Sequence, residues 1–210
     1  GRGFDESFNF LFFGSDQLLG QTYSFFKDIF AVFVILGTLV FLYYRVIKRL
    51  GRMTLSTEGL VILGIILTMM VADILYDGAT IAGKMKTPSV FLVCEPAGSV
   101  LAQSLYGLDP FTLSILKHVG FWTHSTLVLL FLNLLPYSKH FHVITGIPNV
   151  YFQSLHSPGR LPPIEDIDGK LEREETLGIR RIDQFSWKSI LDFYTCTECG
   201  RCTSACPAHS

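Results

Sequence analysis

The stretch IFAVFVILGTLVFLYY runs from Ile29 to Tyr44 without a charged residue. Extended to residues 25–47, it approaches the roughly 20 apolar residues that a helix needs to cross a membrane. A basic cluster follows at once, consisting of Arg45, Lys48, Arg49 and Arg52. Because basic loops face the cytoplasm, we predict a membrane-spanning helix that ends on the cytoplasmic side.

Two further runs share this character. The second covers residues 59–76 and is interrupted only by Asp73, and the third covers residues 111–137 with Lys117, His118 and His124 in its first half. Charged residues make up 17% of the chain and the mean hydropathy is +0.39, whereas soluble domains average about 25% charged residues. The sequence therefore predicts an all-α membrane protein, with a transmembrane helix bundle in residues 25–156. The net charge of −1 gives no reason to expect nucleic acid as a partner.

The C-terminal segment carries the most specific motif, C-x2-C-x2-C-x3-C-P, formed by Cys196, Cys199, Cys202, Cys206 and Pro207. Thiolates at this spacing hold a cubane iron–sulfur cluster, and the fourth cysteine typically ligates a second cluster. A structural zinc site is the alternative, but zinc sites normally use two separated cysteine pairs. We therefore predict that residues 185–210 are the start of a ferredoxin-like [4Fe-4S] domain. Because a second motif is expected, and the chain stops four residues after Cys206, we expect this chain to be part of a longer protein.

The topology depends on residues 88–107, a moderately apolar segment interrupted by Glu95, Pro96 and Gly98. The alternatives are a fourth spanning helix and a re-entrant or surface helix. A fourth span would place the cysteines outside the cytoplasm, whereas reduced thiolates favour a reducing compartment. We therefore predict three spans, a periplasmic loop at residues 1–24, a periplasmic segment at residues 77–110, and a cytoplasmic cluster domain.

Residues 157–184 have the composition of a linker between the bundle and the cysteines. They begin with Ser157-Pro-Gly-Arg and Leu161-Pro-Pro and continue with charges of both signs. A short amphipathic helix leading into the cluster domain is predicted by the apolar positions Phe185, Trp187, Ile190, Leu191 and Tyr194.

Two histidines are candidates for binding haem. His124 lies within the third span and His142 at its inner end, so on one helix they are five turns and about 27 Å apart and share a face. This spacing suits two haems, one near each membrane surface, each with a further ligand from another helix. The first two spans contain no histidine. The alternatives are a hydrogen-bonded helix–helix contact for His124 and interfacial contacts to lipid or quinone for His142.

The segment LPYSKHFH, residues 135–142, gathers polar side chains at the predicted inner membrane surface. It supplies the phenol of Tyr137, the ammonium of Lys139 and the imidazoles of His140 and His142. A quinone needs donors to its carbonyls, so this segment is a candidate quinone site. An interfacial belt with a snorkelling lysine is an equal alternative. Asp73 and Asp77 are open to two interpretations, a proton-uptake or quinone role and a side chain that reaches the interface.

The sequence FWTH, residues 121–124, together with LPYSKHFH resembles the membrane domain of heterodisulfide-reductase-related iron–sulfur oxidoreductases. That domain is itself similar to the haem b (gamma) subunit of respiratory nitrate reductase. The segments FSWKSILD, residues 185–192, and CTECGRC, residues 196–202, resemble the start of the ferredoxin domain of the same family. The branch that the chain resembles includes membrane electron-transfer-flavoprotein:menaquinone oxidoreductases.

This resemblance implies a haem b domain in which His124 and His142 bind haem, with Pro136 six residues before His142. It implies a quinone-linked iron–sulfur oxidoreductase of the cytoplasmic (inner) membrane. Electrons would pass from a cytoplasmic donor such as electron-transfer flavoprotein, through [4Fe-4S] clusters and haem b, to menaquinone. The alternative function is a non-catalytic cytochrome b/iron–sulfur anchor subunit of a larger dehydrogenase or heterodisulfide reductase-type complex. Either function requires membrane lipid and other subunits or further parts of the same chain.

Overall fold

The computed structural model describes residues 17–49, 56–87, 90–155, 163–164, 166–174, 177–197 and 199–208. Within these ranges the regular structure is entirely helical, which confirms the predicted all-α architecture. The chain divides into two units, residues 1–134 with 200–210, and residues 135–199.

Three helices of the first unit are long and apolar enough to cross a membrane. Helix α1, Leu18–Leu42, continues as a π-helical segment, Tyr43–Lys48, and helix α2 is Thr57–Ala82. Helix α4 is Pro110–Leu134, and its candidate span extends to Tyr137. The residue ranges of these three spans overlap those of the three predicted spans.

Helix α1 begins earlier than the sequence suggested. Residues 18–24 of the predicted periplasmic loop are helical, and residues 1–16 lie outside the described part. The boundary was placed at residue 25 because residues 1–24 mix polar and aromatic residues and contain four glycines. Lys27 and Asp28, near the start of the predicted span, have polar partners inside the unit, and the helix continues past them toward its N-terminus.

Helix α2 also runs further than predicted. Ser56 caps its start by accepting a hydrogen bond from the Gly59 N–H at 3.2 Å, and the helix ends only at Ala82. Asp77 is therefore helical, so the segment assigned to residues 77–110 starts later than expected. The reason is again an ion pair, because Asp77 contacts Lys27.

Helix α3, Pro96–Leu105, has ten residues. Such a helix is about 15 Å long, half of the roughly 30 Å thickness of the bilayer core. Helix α3 is therefore too short to cross the bilayer core, and its placement as a re-entrant or surface helix stays a prediction. Asp109 then caps α4 by accepting hydrogen bonds from the N–H and hydroxyl of Thr112 at 3.0 and 2.6 Å. These hydrogen bonds lower the pKa of the Asp109 carboxyl.

Small residues set the distances between these helices. A Cβ added to Gly120 of α4 would lie 2.8 Å from the Ala72 carbonyl oxygen and the Tyr76 nitrogen of α2. A Cβ on Gly78 of α2 would lie 2.9 Å from the Leu101 side chain of α3. Close backbone contact through small residues is typical of helices packed in membranes. The buried apolar cluster of this unit consists of Ile81, Ala82, Ala102 and Leu113.

The chain leaves the α-helical conformation after Leu134. A 3₁₀ turn covers Leu135–Tyr137, Ser138 is extended, a second turn covers Lys139–Phe141, and α5 is His142–Tyr151. Pro136 has no N–H for the helical ladder, and Ser138 caps the second turn by accepting from the His140 N–H at 3.2 Å. His124 and His142 consequently do not share one helix, so the expected five-turn alignment is wrong.

The second unit is built on α5 and α7, Trp187–Thr195. The ring centroids of Phe152 and Trp187 lie 5.1 Å apart, and those of Phe141 and Tyr194 lie 6.1 Å apart. Ser186 caps α7 by accepting from the Ser189 N–H at 3.2 Å, which confirms the predicted short helix. The linker contains a further helix, α6 at Ile167–Glu172, while its first prolines, at residues 158 and 162, lie outside the described residues.

Candidate functional site

A buried ion cluster joins α1 to α2. The Lys27 ammonium lies 2.5 Å from Asp77 Oδ2 and 3.1 Å from Asp73 Oδ2. The two carboxylates are one helical turn apart on α2, and their side chains are 11% and 17% exposed. Ionisable groups are costly within a membrane unless they are paired, and here one cation faces two anions. The sequence had suggested for Asp73 and Asp77 either a proton-uptake or quinone role or side chains that reach the interface. Neither interpretation included an ion pair with α1.

A second buried carboxylate connects α1 to α3. Asp28 is 1% exposed, and its Oδ2 accepts a hydrogen bond from the Ala97 N–H in the first turn of α3 at 2.5 Å. Its Oδ1 has no hydrogen-bond partner among the described residues. Sequence reasoning missed both Lys27 and Asp28. The signal available was their position within a membrane-length helix, where each charge requires a partner.

His124 projects from α4 toward α2. Its Nδ1 lies 3.1 Å from the Met69 carbonyl oxygen and 3.9 Å from Asp73 Oδ1. A carbonyl can only accept, so Nδ1 carries the proton in this contact. The helix–helix contact considered for His124 is therefore observed. No hydrogen bond reaches Nε2 from the described part of the chain, and the proton on Nδ1 leaves the lone pair of Nε2 able to bind a metal.

The structure brings two of the four candidate quinone ligands together. The imidazole centroids of His140 and His142 lie 5.6 Å apart. Tyr137 is 92% exposed, so its hydroxyl is accessible. The side chain of Lys139 lies outside the described residues. This segment therefore presents two imidazoles and a phenol on one short stretch of chain.

The four motif cysteines are exposed thiols, not disulfides. Cys196 directly follows α7, and its N–H donates to the Phe193 carbonyl at 3.2 Å. Gly200, with φ of 73°, precedes α8, Arg201–Ala205, which contains Cys202 and is followed by Cys206. In the described part of the chain, no three His, Cys, Asp or Glu side chains are grouped as metal ligands. The number, chemistry and spacing of the thiols fit a cluster, and metal binding commonly organises such segments.

Comparison with known proteins supports the cluster. Residues 187–208 match the family described as a 4Fe-4S binding domain. The chain is 31% identical over 198 residues to a probable iron–sulfur-binding oxidoreductase, FadF, of Bacillus subtilis, which covers 93% of this chain and 27% of the relative. It is 25% identical over 196 residues to an EtfAB:quinone oxidoreductase of Syntrophomonas wolfei, with 90% and 27% covered. No solved structure matches the chain.

These similarities support an iron–sulfur oxidoreductase. The chain spans about a quarter of the length of these curated relatives. The predicted 4Fe-4S segment is thus confirmed. The oxidoreductase class is what the names of the two relatives say of those proteins. The links to heterodisulfide reductase and to the nitrate reductase gamma subunit stay predictions.

Proposed function

We propose that this chain belongs to a membrane-bound enzyme that transfers electrons from a cytoplasmic donor to menaquinone. The observation that carries the proposal is the joining, in one chain, of three membrane-length helices to the cysteine motif. The name of the Syntrophomonas relative supports electron-transfer flavoprotein as the donor and a quinone as the acceptor. We place the cluster domain on the cytoplasmic side of the inner membrane, because Arg45 and Lys48 end the first span.

The thiolates of Cys196, Cys199 and Cys202 would ligate one [4Fe-4S] cluster, and Cys206 would ligate a neighbouring cluster. Clusters and b-type haem exchange single electrons when bound. The exposure of all four thiols makes them accessible to cluster assembly and to a docked electron donor.

His124 is the better supported of the two candidate haem ligands. The Met69 carbonyl holds its Nδ1–H at 3.1 Å, and such a hydrogen bond orients the ring and strengthens Nε2 as a ligand. This chain would supply one axial ligand. His142 begins a separate helix, so we assign it to the quinone site.

The quinone end of this pathway would lie at residues 135–142. Tyr137 offers an exposed hydroxyl, and His140 and His142 offer neighbouring imidazoles. Lys139 immediately precedes His140 in sequence. These groups supply hydrogen-bond donors for the two carbonyls of a quinone ring and protons for its reduction.

The test is a cysteine substitution in the full-length protein. Cys199→Ser is expected to abolish both the cluster signal in electron paramagnetic resonance and the reduction of a menaquinone analogue by reduced electron-transfer flavoprotein. Cys94→Ser is the matched control, because Cys94 lies outside the motif, and it should change neither. Continued quinone reduction after loss of the cluster would show that electrons bypass it and would overturn the proposal.

A further inference from the structure

Helix α5 exposes a face made of apolar side chains. At 100° per residue, five of them fall within an arc of about 120°. They are 53–80% exposed, and they are Val143, Ile144, Ile147, Val150 and Tyr151. Residues 140–155 contain no Asp, Glu, Lys or Arg. The apolar stripe of a helix in a water-soluble domain faces the core, so α5 has the opposite orientation.

The other side of α5 carries its polar groups and packs against α7. The Asn149 Oδ1 accepts a hydrogen bond from the Lys188 ammonium at 2.5 Å. Thr145 is 6% exposed, and its hydroxyl donates to the Phe141 carbonyl at 3.1 Å. The packing of α5 on α7 thus leaves the apolar face open in the described part of this unit. Contiguous exposed apolar surface of this kind marks a contact with a membrane or with another protein.

The position of α5 in the chain favours the membrane. The preceding candidate span ends at Tyr137, and α5 begins at His142, five residues further on. Five residues reach at most about 18 Å, so α5 begins close to the surface of the bilayer. With ten residues it is about 15 Å long, half of the roughly 30 Å thickness of the hydrocarbon core. It is therefore too short to cross the membrane.

We propose that α5 lies in the plane of the membrane interface, with its apolar face in the lipid. Helices of this type bury their apolar face about 5–10 Å into the boundary between head groups and acyl chains. Tyr137 and Tyr151 are 92% and 80% exposed, and tyrosine is enriched at this boundary. Because α5 contains no Lys or Arg, its attachment depends on burial of apolar surface and does not require anionic lipid.

This attachment has a consequence for the cysteine motif. Helix α7 packs on α5 through the contact of Phe152 with Trp187, whose ring centroids lie 5.1 Å apart, and Cys196 directly follows α7. An α5 held in the interface would keep the first cysteine of the motif near the membrane surface. A role of this placement in electron transfer to a lipid-soluble acceptor rests on the proposed function, whereas the lipid contact itself does not.

The test uses the full-length protein in phosphatidylcholine nanodiscs and photoreactive phosphatidylcholine. A diazirine beside the ester carbonyl of one acyl chain is expected to label residues 143–151 on illumination, as located by peptide mapping. A diazirine at the end of the acyl chain should label the three spans more strongly than these residues. Absence of the first label from residues 143–151, in protein whose spans are labelled, would overturn the proposal and assign this face to a protein partner.

A pair of matched variants tests the face itself. Ile147→Asp places a carboxylate at the centre of the face and should remove most of the label from α5, because a carboxylate resists transfer from water to lipid. Ile182→Asp is its control, because Ile182 is 75% exposed in the same unit and lies outside α5, whereas Ile147 is 79% exposed. The label should persist in this control. Unchanged label in Ile147→Asp would overturn the proposed orientation of α5.

Measuring quinone reduction in the same nanodiscs separates this inference from the proposed function. Protein that is labelled in residues 143–151 but does not reduce a menaquinone analogue would overturn the proposed function and support the lipid contact of α5. Protein that reduces the analogue without label in these residues would overturn the lipid contact alone.

Discussion

The cysteine segment and the ion cluster of α1 and α2 differ in how their polar atoms are satisfied. The four thiols of residues 196–206 are exposed, and their spacing is that of ligands to an external iron–sulfur cluster. Lys27, Asp73 and Asp77 are mostly buried and are in contact with one another. The first region would have its partner in a cofactor, whereas the second finds its partners within the helices. Substitutions in the two regions should therefore have separate consequences.

The largest expected effect is on cofactor content. Cys202→Ser in the full-length protein should eliminate the signal of the cluster that this motif binds, because one of its thiolate ligands is lost. The stability of the helical bundle should not change, since Cys202 is exposed. Iron and sulfide analysis with electron paramagnetic resonance measures the first quantity, and unfolding in detergent followed by circular dichroism measures the second. A substantial loss of bundle stability would show that the two regions are coupled.

The converse experiment removes the buried cation. Lys27→Met leaves two carboxylates without their partner, and breaking a buried ion pair costs about 3–5 kcal/mol. The free energy of unfolding in detergent should fall by roughly this amount, while cluster content stays the same. The double variant Lys27→Met/Asp77→Asn should recover part of the loss because it removes one uncompensated charge. A single variant as stable as the wild type would show that the cluster is solvated and not part of the packing.

The packing of α2, the helix that carries both carboxylates, against α4 can be tested at a glycine. Gly120→Ala places a Cβ 2.8 Å from backbone atoms of α2, and overpacking of this kind costs about 1–3 kcal/mol. Gly64→Ala is the matched control, because a Cβ there meets nothing within 4 Å. It should be neutral or stabilising by up to about 1 kcal/mol through helix propensity. Equal effects of the two variants in the same unfolding assay would contradict the close contact of α2 and α4.

The smallest effect concerns the contact of α5 with α7. Lys188 Nζ lies 2.5 Å from Asn149 Oδ1 and 2.6 Å from Asp192 Oδ1, and its hydrogen bond lowers the pKa of the Asp192 carboxyl. The resulting stability is present above the unfolded-state pKa of about 3.9 and is lost as the pH falls through the lower folded-state pKa. Asp192 is half exposed, so the effect should be only a few tenths of a kcal/mol.

Hydrogen exchange of the α7 amides measures this effect. Protection should decrease slightly as the pH falls below about 4, after correction for the intrinsic exchange rate. Asp192→Asn should remove the pH dependence and leave the helix in place. If protection of the α7 amides decreases by the same amount in Asp192→Asn, the pH dependence comes from another titrating group.

The parts of this molecule that could be predicted from sequence depend on local patterns. Hydropathy runs indicate spans, and cysteine spacing indicates a cluster, because the decisive residues are neighbours in the chain. The partners of Lys27 and Asp28 could not be found in this way, since Asp77 is 50 residues and Ala97 is 69 residues distant. Their interaction depends on the register of α1 against α2 and α3, which small residues such as Gly78 help to set.

The sequence contains a local signal for the helix break before His142, but the prediction of one continuous helix followed the histidine spacing instead. Pro136 removes a backbone donor, and Ser138 offers a cap to the next turn. Treating residues 124–142 as one helix ignored both. For His124 the sequence left two interpretations open. The helix–helix contact is made by one ring nitrogen, and haem binding through the other nitrogen stays a proposal.

The central claim is that this chain joins an iron–sulfur cluster to a haem held by His124. An anaerobic reduced-minus-oxidised visible spectrum of the purified full-length protein, with haem extraction, tests it most directly. The account predicts sharp b-type bands over a broad cluster bleach, and loss of the bands in His124→Ala with the bleach retained. A broad bleach alone, without extractable haem, would contradict it and leave His124 as a helix–helix contact only.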